Sequence, residues 1–182
     1  MEIRLATAED AMGVHAIYTP FVEHTAVSFE RDAPSVEEMQ RRIVSTLVQH
    51  PWLVCVEGEE VIGYAYAGKH SERHAYQWSV TVSVYIHSNH HRRGVGKALY
   101  TALFDILRRQ GYYNAYAGIT MPNPGSVGLH QSFGFEPVGV YRSVGFKFGK
   151  WHDVSWWQMP LLSPSTTPQD PIPLSLLATL SE

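Results

Sequence analysis

The densest collection of residues able to do chemistry runs from Val84 to Leu99: Val-Tyr-Ile-His-Ser-Asn-His-His-Arg-Arg-Gly-Val-Gly-Lys-Ala-Leu. Before it, Val80, Val82, Val84 and Ile86 fall at every second position, as one face of a strand requires. After it, Val95, Leu99, Ala102 with Leu103, and Ile106 recur at helical spacing, so a helix begins near Gly94. The two glycines, Gly94 and Gly96, leave the main chain bare at that start. The N–H groups from Arg93 to Lys97, through Val95, then face outward at the positive end of the helix dipole, a seat for a phosphate. Arg92, Arg93 and Lys97 add positive charge around it. A Walker loop is excluded, because Gly94-Val95-Gly96-Lys97 has one residue between its glycines instead of four, and Ala98 stands where a hydroxyl is needed. A Rossmann fingerprint is excluded as well, since its third glycine would fall at Leu99. An ordinary strand–turn–helix, with glycines for geometry alone, remains the alternative.

His87, His90 and His91 in the same turn raise the question of a metal. No carboxylate or thiol lies near them in sequence, so a solvated or ligand-facing role is expected and no metal. His70 and His74 face a substrate or only solvent. The single cysteine, Cys55, lies in the apolar run Trp52–Val56, excludes an intramolecular disulfide and suits a reducing cytoplasm.

The elements that must position these groups can be read in order. Ile3–Leu5 is a short strand, and residues 9–22 read as a helix with Val14, Ile17 and Tyr18 on one side and a kink or break expected at Pro20. A second helix runs from Pro34-Ser35 to about Gln49, with Ser35 and Glu38 at capping-box spacing. Strands follow at 53–57 and 61–67, joined at Gly58-Glu59-Glu60; then come the central strand, the glycine turn and a helix stopped at Gly111. Residues 113–120 form a strand, Ser126 heads a short helix to Phe133, and strands at 135–141 and 154–159 are joined by a glycine-rich excursion. Residues 1–162 make one domain, and the Ser/Thr/Pro-rich stretch 163–182 reads as a flexible tail, in which Leu174–Leu180 could dock as a turn of helix. The pattern is α/β or α+β, with helices on both faces of a sheet. With 45% hydrophobic and 17% charged residues the chain is that of a soluble globular protein, and a formal charge of −3 argues against a nucleic-acid partner. No apolar run is long enough to span a membrane, and Met1-Glu2-Ile3-Arg4 lacks the order of a signal peptide.

The glycine turn resembles the signature of the GNAT superfamily of acetyl-CoA-dependent N-acetyltransferases, with His91 in its Gln/Arg slot. Asn123-x-x-Ser126 and Leu129-His130-x-x-Phe133-Gly134-Phe135 resemble that family's second CoA-side motif. Ala65–Gly68, Ala75-Tyr76-x-Trp78 and Gly145-Phe146-Lys147-x-Gly149-x-Trp151-His152-Asp153-Val154-x-x-Trp157-Gln158 look like the phosphinothricin and methionine-sulfoximine N-acetyltransferase subfamily, over roughly residues 2–160. The resemblance implies a mixed, mostly antiparallel sheet splayed between its fourth and fifth strands. It implies acetyl-CoA as co-substrate, its diphosphate on residues 92–98 and its pantetheine arm along the backbone of Val84, Tyr85 and Ile86. Asn123 would hold that arm, with Ser126 beside it; without the resemblance, Asn123 reads as a turn asparagine. The subfamily's proposed base is a glutamate on the central strand, but Thr81 fills that slot here and cannot act as one. A water chain to His152, Asp153 or Glu30 is the expected substitute, unless the amine arrives neutral. His130 would protonate the departing thiolate or relay a proton.

Subfamily substrates are amino acids with an anionic or strongly polar γ-group, which calls for cations among Lys69, Arg73, Arg142 and Lys147 and walls from Phe29, Tyr85 and Trp151. The expected reaction is direct acetyl transfer in a ternary complex to the α-amine of a phosphinothricin, methionine sulfoximine or methionine sulfone type of acceptor. The rivals are another small amine, a protein N-terminus, or a CoA-binding regulatory module without catalysis. A homodimer in the cytoplasm is expected.

Overall fold

The computed structural model describes residues 1–177. Its centre is a seven-stranded sheet, ordered β1 (Glu2–Leu5), β2 (Trp52–Glu57), β3 (Glu60–Lys69), β4 (Ser79–Ile86), β5 (Asn114–Thr120), β7 (Lys150–Pro160) and β6 (Glu136–Lys147). All neighbours are antiparallel except β4 and β5. Helices α1 (Ala11–His24) and α2 (Val36–Leu47) cover one face, while α3 (Val95–Gln110) covers the other. Side chains therefore alternate between two cores: Trp52, Val54 and Tyr64 pack with α1 and α2, whereas Leu53, Cys55, Ile62 and Ala65 pack with α3. Burial of both faces is why β2 reads as an unbroken apolar run instead of an alternating one.

Capping chemistry sets the helix ends. Ser35 Oγ accepts the Glu38 N–H at 3.2 Å at the start of α2, as its capping-box spacing predicts. Gly94 (φ +82°) opens α3 and Gly111 (φ +88°) closes it, both in the left-handed region that glycine enters without Cβ strain. Pro20 neither breaks nor ends α1, which continues to His24. The cost of its missing N–H is limited because the helix stops one turn later.

The glycine-rich excursion is itself strand. β6 and β7 stay paired through Gly145↔His152, Phe146↔Trp151 and Lys147↔Lys150, and turn over Phe148 (φ +51°) and Gly149 (φ +75°). A two-residue turn with both φ positive matches strand twist, and Phe148 in its first position hides the usual Asn-Gly sequence signal. Helix α4 (Pro124–Ser132) starts two residues earlier than the sequence reading had it: Asn123 is its N-cap, with Pro124 at the first helical position.

Residues 163–177, expected to be flexible, run back over the fold as far as described. Trp78 Nε1 donates to the Gln169 carbonyl (2.8 Å), and the buried Gln110 amide donates to the carbonyls of Gln49 (2.7 Å) and Ile172 (2.8 Å). A turn of helix, α5 (Leu174–Leu177), buries Leu174 and Leu177, and residues 178–180 of the expected docking turn lie outside the described residues. Among those described, no helix is long and apolar enough to cross a membrane.

Candidate active site

β4 and β5 pair over only three positions, from Ser79↔Asn114 to Thr81↔Tyr116, and then diverge. Past Thr81 the edge of β4 that faces β5 therefore has no strand partner, and a cleft opens between them. On one side of this gap lies a small cavity of about 60 Å³ between Ser83, Val84 and Tyr85 of β4 and Ala117–Thr120 of β5, with Tyr100, Asn123, Ser126 and His130 around it. Opening from the same strands, a second cavity of about 430 Å³ runs between Thr81, Val82, Ser83, Gly118 and Thr120. Its walls are Val27 and Phe29 from the segment after α1, and Tyr141, Val144, Val154 and Trp156 from the last hairpin. The two share Val27, Val82, Ser83, Gly118 and Thr120, so the strand gap joins them.

At the end of β4 the chain turns through 87–94 into α3. Gly94 offers no side-chain cap, and the first main-chain bond across the helix start is Ala98 N–H to the Gly94 carbonyl at 3.0 Å. The N–H groups of Val95, Gly96 and Lys97 thus lead the helix as outward donors, as the glycine spacing suggests. Gly96 packs against Leu129 of α4, where a Cβ would press on that side chain. Arg92 and Lys97 are exposed beside the turn. The Arg93 side chain is directed elsewhere: it grips Glu57 with two bonds (2.9 and 3.2 Å) and donates to His90 Nδ1 (2.7 Å). His91 bonds the Ile86 carbonyl at 3.1 Å, which helps set the turn. Folding also brings Glu60 to His87 and His90, with possible ligand atoms within 4.8 Å of one another. The Arg93 guanidinium already donates to His90 Nδ1, which occupies one of that ring's two nitrogens.

His130 is buried, with Nδ1 2.8 Å from the Ser126 carbonyl and Nε2 3.0 Å from the Tyr100 hydroxyl. A carbonyl only accepts, so Nδ1 carries the ring proton and Nε2 accepts from Tyr100. Burial holds the imidazole below its ordinary value, against an opposing bond to Ser126, and pushes the Tyr100 phenol far above its own. The result is a neutral tyrosine–histidine pair lining the small cavity. Tyr100 belongs to the buried face of α3, and nothing in its spacing separates it from the core residues around it. Asn123 caps α4 through Oδ1 to the Ser126 N–H (3.1 Å), which leaves its NH₂ donors uncommitted in that bond, at the cavity wall.

The expected substrate groups divide. Phe29 and Thr81 line the larger cavity and Tyr85 the smaller. Tyr85 is also packed edge-on against Tyr18 and Phe21. Lys147 is buried, and its ammonium donates to the carbonyls of Val22 (2.6 Å), Ser28 (2.8 Å) and Thr25 (3.0 Å), so it ties the hairpin tip to the segment after α1 and has no bond left for a substrate. Glu30 is taken by Arg42 (2.8 and 3.1 Å) and Tyr18 (2.8 Å); the Arg42 guanidinium holds its carboxyl below the usual range, so it is no proton acceptor. His152 is buried against the Lys147 carbonyl (3.0 Å), and Asp153 accepts the Ser143 N–H (2.7 Å). Lys69 pairs with Glu72 at 3.0 Å, and Arg73 is exposed on the loop after β3. The larger cavity is consequently lined by hydroxyl, aromatic and aliphatic groups without a cation among the described residues.

Residues 3–156 match a family model described as an acetyltransferase (GNAT) domain. A phosphinothricin N-acetyltransferase of Streptomyces viridochromogenes is 38% identical over 158 residues, 87% of this chain and 86% of its own. An L-methionine sulfoximine/L-methionine sulfone acetyltransferase of Salmonella typhimurium is 34% identical over 162 residues, 88% and 95% of the two chains. Among solved structures, a GNAT superfamily phosphinothricin acetyltransferase from Sinorhizobium meliloti in complex with acetyl-CoA superposes with a TM-score of 0.88 at 33% identity, over 92% of each chain.

Proposed function

This chain belongs to the GNAT acetyltransferase family, and on that premise we propose that it transfers an acetyl group from acetyl-CoA to the α-amine of a small amino-acid-like acceptor. The observation that carries this reading is the cavity pair joined through the β4–β5 gap, on a strand whose chain turns directly into an uncapped helix start. The diphosphate of the co-substrate would take the N–H groups of residues 95–97, and its pantetheine arm would lie along the unpartnered edge of β4, a strand-addition mode of binding. Asn123 would donate to that arm. The thioester carbonyl would then sit in the gap, with the acceptor in the larger cavity. An ammonium has no lone pair, so the amine must lose a proton before it attacks; an α-amine does so unaided only near pH 8. As the tetrahedral adduct collapses, the C–S bond breaks, the Tyr100 O–H turns from His130 to protonate the departing thiolate, and the phenolate recovers a proton from the adduct nitrogen, which must lose one to become the amide; burial keeps the pair uncharged at neutral pH.

The walls of the larger cavity decide the acceptor. An anionic phosphinate needs a cation or a fork of donors, whereas the hydroxyls of Ser83, Thr120 and Tyr141 suit the neutral oxygens of a sulfone or sulfoximine. In a thiol-release assay with acetyl-CoA at pH 7–9, methionine sulfone and methionine sulfoximine are expected to exceed phosphinothricin at least tenfold in kcat/KM. Phosphinothricin as the better acceptor would reverse the assignment. Acetyl-CoA bound without thiol release from any acceptor would make the chain a non-catalytic CoA-binding module.

The outer face of the β6–β7 hairpin supports a homodimer. Val138, Val140 and Phe148 are exposed along it, with Phe146 at 60% and Trp151 at 63% exposure, a row of apolar groups rarely left to water. Sedimentation is expected to give a dimer, and Phe146→Glu with Trp151→Glu a folded monomer; a monomeric wild type would remove the proposal. The buried thiol of Cys55 fits a cytoplasmic location.

A further inference from the structure

Thr81 stands where the two central strands part, and its neighbour across the sheet edge has no part in the reaction as derived so far. His70, on the loop after β3, places Nδ1 3.2 Å from Thr81 Oγ1. Its ring is not loose: it stacks on Tyr116 (4.3 Å between centroids, 23°), meets the edge of Trp156 at 6.1 Å and tilts over Tyr76 at 6.0 Å. Tyr116 is the partner of Thr81 in the last β4–β5 pair, and Trp156 and Thr81 both line the larger cavity. The imidazole is thus clamped behind a hydroxyl that opens onto the place where an acceptor amine would sit. We propose that His70 is the positioning residue that turns Thr81 into a proton relay for the incoming amine. This rests on the acetyl transfer proposed above.

The relay balances simply. The N–H bond of the acceptor ammonium breaks and its proton passes to Thr81 Oγ, while the Thr81 O–H proton passes to His70 Nδ1. Threonine is left unchanged, the amine gains its lone pair and the imidazole becomes imidazolium. His70 is half-buried, so that proton then leaves to solvent. Burial holds the imidazole below its ordinary value, which keeps it neutral and receptive at pH 7. The titratable groups that face it are the phenols of Tyr76 and Tyr116, and burial pushes Tyr116 up, so it stays uncharged. Of the charges on its own loop, Lys69 and Glu72 neutralise each other at 3.0 Å and Arg73 is exposed to solvent. A threonine alone cannot act as a base; backed by an imidazole it can pass a proton on.

The pH dependence separates this role from a structural one. With the relay, the enzyme accepts the ammonium form and kcat/KM is nearly level from pH 7 to 9. Without it, the amine must arrive neutral, and kcat/KM falls about tenfold per pH unit below the pKa of the amine, near 8. His70→Phe, which keeps the stack on Tyr116, is expected to lose about tenfold in kcat/KM at pH 7 and to come within twofold of the wild type at pH 9. Thr81→Val leaves His70 in place and is expected to give the same pH-selective loss, with the double variant no worse than either. A wild type that releases thiol, with variants that are unchanged or equally impaired at pH 7 and 9, overturns the relay alone. A wild type that releases no thiol overturns the acetyl transfer and the relay with it.

Discussion

Tyr100→Phe is expected to lower kcat for acetyl transfer about a hundredfold, in the range of a lost general acid, while the affinity for acetyl-CoA changes little. The reason lies in the direction of two hydrogen bonds. Ser126 fixes the proton on His130 Nδ1, so His130 Nε2 is an acceptor, and the Tyr100 O–H, donated to it at rest, is the one proton of the pair that can turn to the small cavity. Removing the hydroxyl deletes the proton that the thiolate needs and leaves Nε2 buried without a donor. The second effect costs about 1–3 kcal/mol of stability. His130→Phe should lose a comparable factor, because Tyr100 then has no partner to orient it, and the double variant should be little worse than either alone, as for residues that act as a unit. Steady-state kcat, with calorimetric acetyl-CoA binding, checks each part. A Tyr100→Phe enzyme with wild-type kcat would take the pair out of the chemistry.

What could be read from the sequence was whatever one local rule decides. The alternation of Val80, Val82, Val84 and Ile86 needs only a strand with one face toward a core, and Gly94 and Gly111 needed only a helix whose ends enter the left-handed region. The uncapped start of α3 was legible for the same reason, being built from consecutive residues. Groups whose role depends on a distant partner were not. Lys147 looked like a free cation, but its acceptors lie 119 to 125 positions away in sequence. Glu30 looked like a spare carboxylate until Arg42 came round on α2. Tyr100 went unmarked, because its hydroxyl meets His130 across 30 positions that cross a strand and a turn. The start of α4 is a different kind of miss. Asn123-Pro124 carries the cap and first-turn signature, but the same residues also read as a turn, and that reading put the helix start at Ser126.

Lys147→Met is expected to lower Tm by about 10 °C and to raise KM for the acceptor at least tenfold, with the affinity for acetyl-CoA nearly unchanged. The substitution keeps the length of the side chain and removes its charge and donors, so three carbonyls, the buried ones of Val22 and Ser28 and the half-buried one of Thr25, lose their bonds together. Breaking a buried charged contact in this way costs about 3–5 kcal/mol, and a chain of this size shifts by about 2–4 °C per kcal/mol. The segment released is the one that carries Val27 and Phe29 to the acceptor cavity, and Phe29 already lies so close to Gly145 that a Cβ there would run into its ring. Loss of the clamp therefore loosens the wall on the acceptor side and leaves the helix start near Gly94 untouched. The alternative role for Lys147, a cation that receives an anionic acceptor, makes a contrary forecast. It would leave Tm where it was and would cost activity toward phosphinothricin but not toward methionine sulfone. Thermal melting of the variant together with KM for both acceptors separates the two, because a buried ammonium whose donors are spent on main-chain carbonyls cannot discriminate between substrates by their charge.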